Sequence, residues 1–345
     1  MTKLTTTFLF LALIATNCLA QQRQRPVRPV IFKTDTAFVH DPVMAYEDNV
    51  YYAFYTGLNI GTMKSSDRKT WTVYRDGVLK TIPAWTQDSV SGFKSHIWAP
   101  DVIKWNGRWW MAYSCSTFGK NTSAIGLLSA SSLAKGDWKD EGCLVSSREG
   151  RDQWNAIDAN FVEDDCGNLW LTWGSFWDGI QFAPLKEVKN GNGDATLRLA
   201  AQPRTIARRY GNNAPVDAVN PTSKYAGVNA IEAPFIIKNG GYYYLFVSWD
   251  YCCRGMQSSY RVVVGRSETV DGPYFDKEGI AMTEGGGTPV IEGDKKEFEA
   301  AGHSAAYHFP DGDLFICHGY SMALNGQSVL IQKSIKWVDG WPVLQ

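Results

Sequence analysis

Apolar and polar residues along the chain repeat one phrase five times. A short apolar strand, opened by a polar or aromatic residue, runs into a turn and then into a strand crowded with aromatics. The openings read HDPVMAY (His40 to Tyr46), WAPDVIKW (Trp98 to Trp105), DANFVED (Asp158 to Asp164), EAPFIIK (Glu232 to Lys238) and, in the weakest copy, HSAAYHF (His303 to Phe309). The second strands read VYYAFYTG, RWWMAYSC, LWLTWGSF, YYYLFVSW and DLFICHGY. Glu47-Asp48-Asn49, Asn106-Gly107, Asp164 to Asn168, Asn239-Gly240-Gly241 and Pro310 to Asp313 separate the halves and read as hairpin turns. Third strands follow at Ile60 to Asp67, Ala124 to Ser131, Gly179 to Leu185, Arg261 to Glu268 and Val329 to Ile335, most with a fourth short element behind them. Helical periodicity is almost absent. Four antiparallel strands per unit, with units opening near residues 40, 98, 158, 232 and 303, predict an all-β fold: a five-bladed β-propeller with four-stranded blades. A β-sandwich would also supply the strands, but not the recurrence of the phrase.

In a propeller the first strand of each blade lines the central channel, so the opening residues meet at one end. Asp41, Asp158 and Glu232 then become neighbours although they lie far apart in sequence. Repulsion and burial raise the pKa of at least one, leaving a protonated acid beside an ionised base. That pair is the equipment for cleaving a glycosidic bond. Most of the 35 acidic residues belong to turns and solvated faces, and any one of the three could simply cap a turn. The neighbourhood favours chemistry: Asn155-Ala156-Ile157-Asp158 and Asn229-Ala230-Ile231-Glu232 repeat one local phrase ending in an acid, which reads as a duplication at equivalent blade positions.

Composition narrows the class. The net charge is −1, which gives no reason to expect nucleic acid or an anionic membrane as a partner. The 14 Trp, 16 Tyr and 16 Phe are mostly strand filling, although indoles also stack on sugar rings. Lys3, the apolar run Phe8 to Ala15 and the small residues before Gln21 read as a cleaved signal peptide over residues 1–20, too short for a membrane span. Residues 21–29 follow as a basic lead-in, and 30–345 form one propeller domain. The chain is therefore expected to be secreted or periplasmic, with lipidation at Cys18 the less favoured outcome. Six further cysteines have no zinc spacing. Their pairing is open: adjacent Cys252 and Cys253 can bridge or stay reduced, and the others read as small buried hydrophobes. Nothing signals an oligomer, so a monomer is expected.

HDP at His40, HIWAPDV at His96, NAIDAN at Asn155, WGSFWDGI at Trp173, NAIEAPFI at Asn229 and SWDYCCRG at Ser248 together resemble the endo-1,5-α-L-arabinanases of glycoside hydrolase family 43, from about His40 to the C-terminus. The resemblance implies an inverting hydrolase acting on internal α-1,5 bonds of arabinan or arabino-oligosaccharides. Asp41 would be the general base, Glu232 the general acid and Asp158 the carboxylate that tunes the acid and orients substrate, with base and acid about 6.5–9.5 Å apart. It also implies a substrate cleft built with Trp98, Phe118, Gly119, Asn155, Ser175, Phe176 and Trp177. His303 would ligate a metal on the axis, usually calcium, whose remaining ligands would be water. Asp101 is expected to face away from the cleft, and His308 and His318 to be structural. An exo-acting relative that releases arabinofuranose or xylose is the first alternative; a sugar-binding propeller without activity is the second.

Overall fold

The computed structural model of the chain describes residues 31–211 and 214–345; the expected signal peptide and lead-in lie outside the described residues. Five antiparallel sheets follow one another in sequence, and the fold is the expected five-bladed β-propeller. The innermost strands are Val43–Glu47, His96–Trp105, Asn160–Glu163, Ile231–Asn239 and Phe298–Phe309. Each pairs outward with an aromatic-rich second strand, then a third and a fourth. Three blades carry an addition: Ile31–Thr34 extends the first, Gly57–Leu58 pairs with the second's inner strand, and the third has two segments against Ile180–Lys189. Among the described residues the one α-helix is Trp85–Ser89.

The second strands are buried on both faces, as in Arg108–Cys115 and Tyr242–Trp249. Each blade therefore packs against two neighbours, and the apolar runs are nearly continuous rather than alternating. Trp71, Trp110 and Trp173 are fully buried between sheets. One exception to the reading of the cysteines as buried hydrophobes is Cys166, which is exposed in a turn, whereas Cys115 and Cys317 are buried.

Every inner strand opens with the same β-bulge. Two residues face one on the partner strand: Asp41-Pro42 face Tyr55, Ala99-Pro100 face Tyr113, Asp158-Ala159 face Trp173, Ala233-Pro234 face Val247 and His303-Ser304 face Cys317. The first residue of each pair has a positive φ: 53° at Asp41, 39° at Ala99, 58° at Asp158, 54° at Ala233 and 53° at His303. Asp and His tolerate this left-handed region better than Ala does. The bulge corrects one sequence expectation. By letters Asp158 aligns with Glu232, but by backbone it aligns with Ala233, and Glu232 stands one residue ahead of its bulge, in the place of His40 and Trp98.

The left-handed residue turns its amide toward the preceding blade, where a side chain receives it. The Asp41, Ala99, Asp158 and His303 amides donate to His318 Nδ1 (3.1 Å), Thr56 Oγ1 (2.8 Å), Ser114 Oγ (3.1 Å) and Ser248 Oγ (2.8 Å). At the fourth blade the matching position on the third is Gly174, which has no side chain, and Asp158 Oδ2 accepts the Ala233 amide instead at 3.2 Å. A second tier lies further along the inner strands, with Phe161 donating to Asp101, Ile236 to Asn160 and Met44 to Tyr307. The four strands of the fifth blade all come from Phe298–Leu344, and a single antiparallel bridge, Phe38 with Val329, joins the chain ahead of the first blade to them. Its seam with the first blade is held by Leu330 on Ala37, Gln332 on the Arg68 carbonyl and the Arg68–Asp311 ion pair.

Ser114 is fully buried, so Ser114→Ala strands the Asp158 amide without a partner. We expect a loss of about 1–3 kcal/mol in denaturant unfolding; an unchanged midpoint would show that the stitch contributes nothing.

Candidate active site

One cavity of about 500 Å³ opens at the end of the channel, reached by the bulge residues Asp41, Asp158 and His303 and, from the other two blades, by Trp98 and Glu232. Asp41, Asp158, Glu232 and His303 meet on its floor, and all seven cleft residues expected from sequence line it: Trp98, Phe118, Gly119, Asn155, Ser175, Phe176 and Trp177. Phe118 projects from its loop with 58% of its surface exposed, while Phe176 packs on Ala226 and Ala230. Trp98 is half-buried and its indole donates to His96, so it forms wall rather than core. Asn155 is buried at the cavity edge with no partner for its Oδ1, an acceptor left free for a hydroxyl group.

Asp41 is the most tightly held carboxylate. Its Oδ1 lies 2.8 Å from His40 Nδ1 and 3.0 Å from His303 Nδ1, and its Oδ2 receives the Thr56 hydroxyl at 2.5 Å. Burial works to raise its pKa, but His303 and His40 overcome that and hold it well below the usual carboxylate range. The same pairing lifts His303 to about 9 against its own burial. Asp41 is thus an anion and His303 a cation.

Glu232 and Asp158 lean the other way. Burial raises Glu232, although Ser175 donates to its Oε2 at 2.7 Å and Tyr260 also bonds it. The Tyr260 ring fits there because Gly302 faces it; a Cβ at Gly302 would overlap the ring. Burial raises Asp158 further, and the charges of Glu232 and Asp41 add to it while His303 opposes. One carboxylate held ionised and two biased toward the protonated form is the asymmetry that acid–base cleavage requires.

Several groups carried no signal in the sequence. Tyr320 sits on a second strand, and Thr56 and Tyr260 sit at the ends of a second and a third strand, where a Thr or Tyr is ordinary filling. His318 is structural, as expected, yet it does so by receiving the Asp41 amide. Cys252 and Cys253 form a vicinal disulfide and line the cavity wall beside His40. Asp101 does not line the cavity, but it is buried between the second and third blades, accepting from Phe161 N at 2.7 Å and Asn160 Nδ2 at 3.1 Å. Burial outweighs these bonds and raises it to about 7.

A metal has one candidate position on the axis. His303 spends Nδ1 on Asp41, so Nε2 is the nitrogen it could offer, and the neighbouring Ser304 Oγ is buried without a partner. A metal at Nε2 would have to displace the proton that the raised pKa of this ring favours. The only metal-type cluster among the described residues, His40, Asp41 and His318, has ligand atoms within 4.8 Å of one another. Its two imidazoles suit a transition metal rather than calcium, and its donors are already bonded to each other.

Comparison with known proteins agrees with this geometry. The sequence profile of glycosyl hydrolases family 43 matches residues 29–342. An extracellular exo-α-(1→5)-L-arabinofuranosidase from Cellvibrio japonicus is 40% identical over 88% of this chain and 85% of its own. An extracellular endo-α-(1→5)-L-arabinanase from Bacillus subtilis is 36% identical over 92% and 91%. The solved exo-1,5-α-L-arabinanase from a bovine ruminal metagenomic library superposes with a TM-score of 0.80 at 47% identity, covering 90% of this chain and 98% of that one.

Asp101 gives a pH test of the blade junction. Its folded pKa, about 7, lies above the unfolded value of about 3.9. The stability it supports is therefore complete below about pH 4 and lost as pH rises toward 7, by up to about 4 kcal/mol. Asp101→Asn should flatten that part of the stability–pH curve; equal slopes in variant and parent would refute the assignment.

Proposed function

The chain belongs to family 43 of the glycosyl hydrolases, and from that premise we propose that it is an inverting hydrolase of α-1,5-linked arabinan that cuts within the polymer. The observation that carries this reading is the meeting of Asp41 and Glu232 on one cavity floor, the first biased toward its anion and the second toward its acid. Asp41, an anion fixed by three donors, takes a proton from a water that attacks the anomeric carbon. Glu232, buried and biased toward its acid form, gives its proton to the departing glycosidic oxygen. The bond to the leaving sugar breaks as the bond to water forms, on opposite faces of the ring, so the configuration inverts. The charge of Asp41 adds to the burial that discourages ionisation of Glu232, and Asp158, itself biased toward the neutral form, offers Oδ1 to the substrate while Oδ2 holds the Ala233 amide. Trp98, Phe118 and Trp177 supply apolar faces for furanose rings, and Asn155 an acceptor for a hydroxyl.

Internal cutting is supported by the continuation of the cleft. Lys120 and Trp177 belong both to the main cavity and to a second one of about 140 Å³, which reaches Tyr225, Glu149 and Asp152. That leaves room for chain beyond the reacting bond. The exo mode is the second reading, favoured by the 40% and 47% identities to exo-acting relatives. Calcium at His303 is proposed as a structural partner of the floor: bound to Nε2 and otherwise to water, it would supply the positive charge beneath Asp41 that a ring proton supplies without it. The extracellular relatives support export of this chain as well.

Glu232→Gln should lower kcat on linear arabinan by about 100- to 10,000-fold while retaining oligosaccharide binding by calorimetry. Undiminished turnover would sink the acid assignment and leave a sugar-binding propeller. Timed product analysis on linear arabinan should show early oligosaccharides of mixed length; arabinose alone from the first time points would establish the exo mode. Repeating it after chelation should show slower release and a lower melting temperature, and no change in either would remove the calcium proposal.

A further inference from the structure

At the seam between the last blade and the first, the Tyr320 phenol touches the Ser258 hydroxyl and three nitrogens. The Cys253 amide nitrogen lies at 2.6 Å, His40 Nε2 at 3.0 Å and His318 Nε2 at 3.3 Å. A phenol has one proton to give and two lone pairs to offer, so the three contacts admit few arrangements. The Cys253 amide can only donate, which takes one lone pair. His318 Nδ1 receives the Asp41 amide at 3.1 Å, which also can only donate, so that nitrogen is bare. An imidazole with one bare nitrogen is neutral, as burial also favours at His318, and its single proton sits on Nε2. That proton takes the second lone pair of Tyr320. With both lone pairs taken, His40 Nε2 at 3.0 Å can meet the phenol only as an acceptor of its proton.

The consequence passes to the reacting carboxylate. With Nε2 accepting, the proton of His40 sits on Nδ1, 2.8 Å from Asp41 Oδ1. We propose that Tyr320 is a positioning residue for this hydrolase: by counting out the protons at the seam it fixes His40 as the Nδ1–H tautomer, which donates to Asp41 and holds its carboxylate in line. This rests on the reading of Asp41 as the base. The device is braced on every side. His40 and His318 stack with ring centres 3.9 Å apart. Cys253, whose amide starts the count, is left-handed at φ 66° and tied to Cys252 by the vicinal disulfide, and its sulfur lies 3.8 Å from His40 Nε2. Cys252 packs against Tyr320, Tyr260 and Ala300. Nothing in the assignment depends on a ligand, because every donor and acceptor belongs to this chain.

Two measurements decide it. Nitrogen-15 NMR of the imidazoles in the intact protein should show His40 with a protonated Nδ1 and a bare Nε2, and His318 with the reverse; the opposite tautomer at His40 would overturn the proposal. In kinetics, Tyr320→Phe should lower kcat about tenfold with KM changed by less than about twofold. His40→Asn keeps an N–H near the place of Nδ1 but cannot reach the phenol. In that background Tyr320→Phe should have no further effect. An equal loss in both backgrounds would mark a packing role and refute positioning, as would an unchanged kcat in the single variant. Failure of the Asp41 reading shows separately, as undiminished turnover of Asp41→Asn, while the NMR result still scores the tautomer.

Discussion

Each blade of this propeller begins with a residue in the left-handed region, and the amide it turns outward must find an acceptor in the interior. An unpaired buried amide is expensive, so every junction between blades is specified by one side chain: Thr56, Ser114, Asp158, Ser248 or His318. The bulge also brings Asp41, Asp158 and His303 to the axis. Folding and chemistry thus share one local conformation. Where the junction residue is Gly174, the stitch falls to Asp158, which anchors the fourth blade with one oxygen and faces the cavity with its carboxyl group. That double duty explains why a carboxylate lies at a junction where a serine would suffice.

Burying four ionisable groups on one floor is tolerable because their charges are not all expressed. Asp41 and His303 form an ion pair at 3.0 Å, and the Thr56 hydroxyl and His40 complete the carboxylate's partners. Glu232 and Asp158, with burial against them and each other's charge nearby, lean toward the neutral form. Neither arrangement follows from the residue types alone. The difference lies in which imidazole each carboxylate can reach, and that is set by the phase of the bulges.

The blade count and the strands were legible because an aromatic strand after a turn recurs five times and few folds repeat at that interval. The three carboxylates and the cleft aromatics were legible as well, since they fall in the same phrases. The phase of the fourth blade was not: NAID and NAIE look equivalent in letters, yet the left-handed residue is Asp158 in one and Ala233 in the other. Proline at 42, 100 and 234 marks the second bulge position and, read alone, would have given the offset. Asp101 does not line the cleft, as expected, but nothing in the sequence showed that it is a buried junction residue. Tyr260 and Tyr320 were invisible because nothing distinguishes a tyrosine that fills a sheet from one whose hydroxyl finds a carboxylate or a histidine.

The fifth blade meets the first without a shared strand, so the circle is completed by side chains and by one short main-chain bridge at Ala37-Phe38. Asp41 stands on one lip of that gap, while His303, His318 and Tyr320 stand on the other. The least covalently secured joint in the wheel is therefore also where the attacking water would be readied. Any breathing that parts the two lips separates the carboxylate from the His303 imidazolium that helps to keep it charged, and the catalyst would fall silent well before the remaining blades came apart.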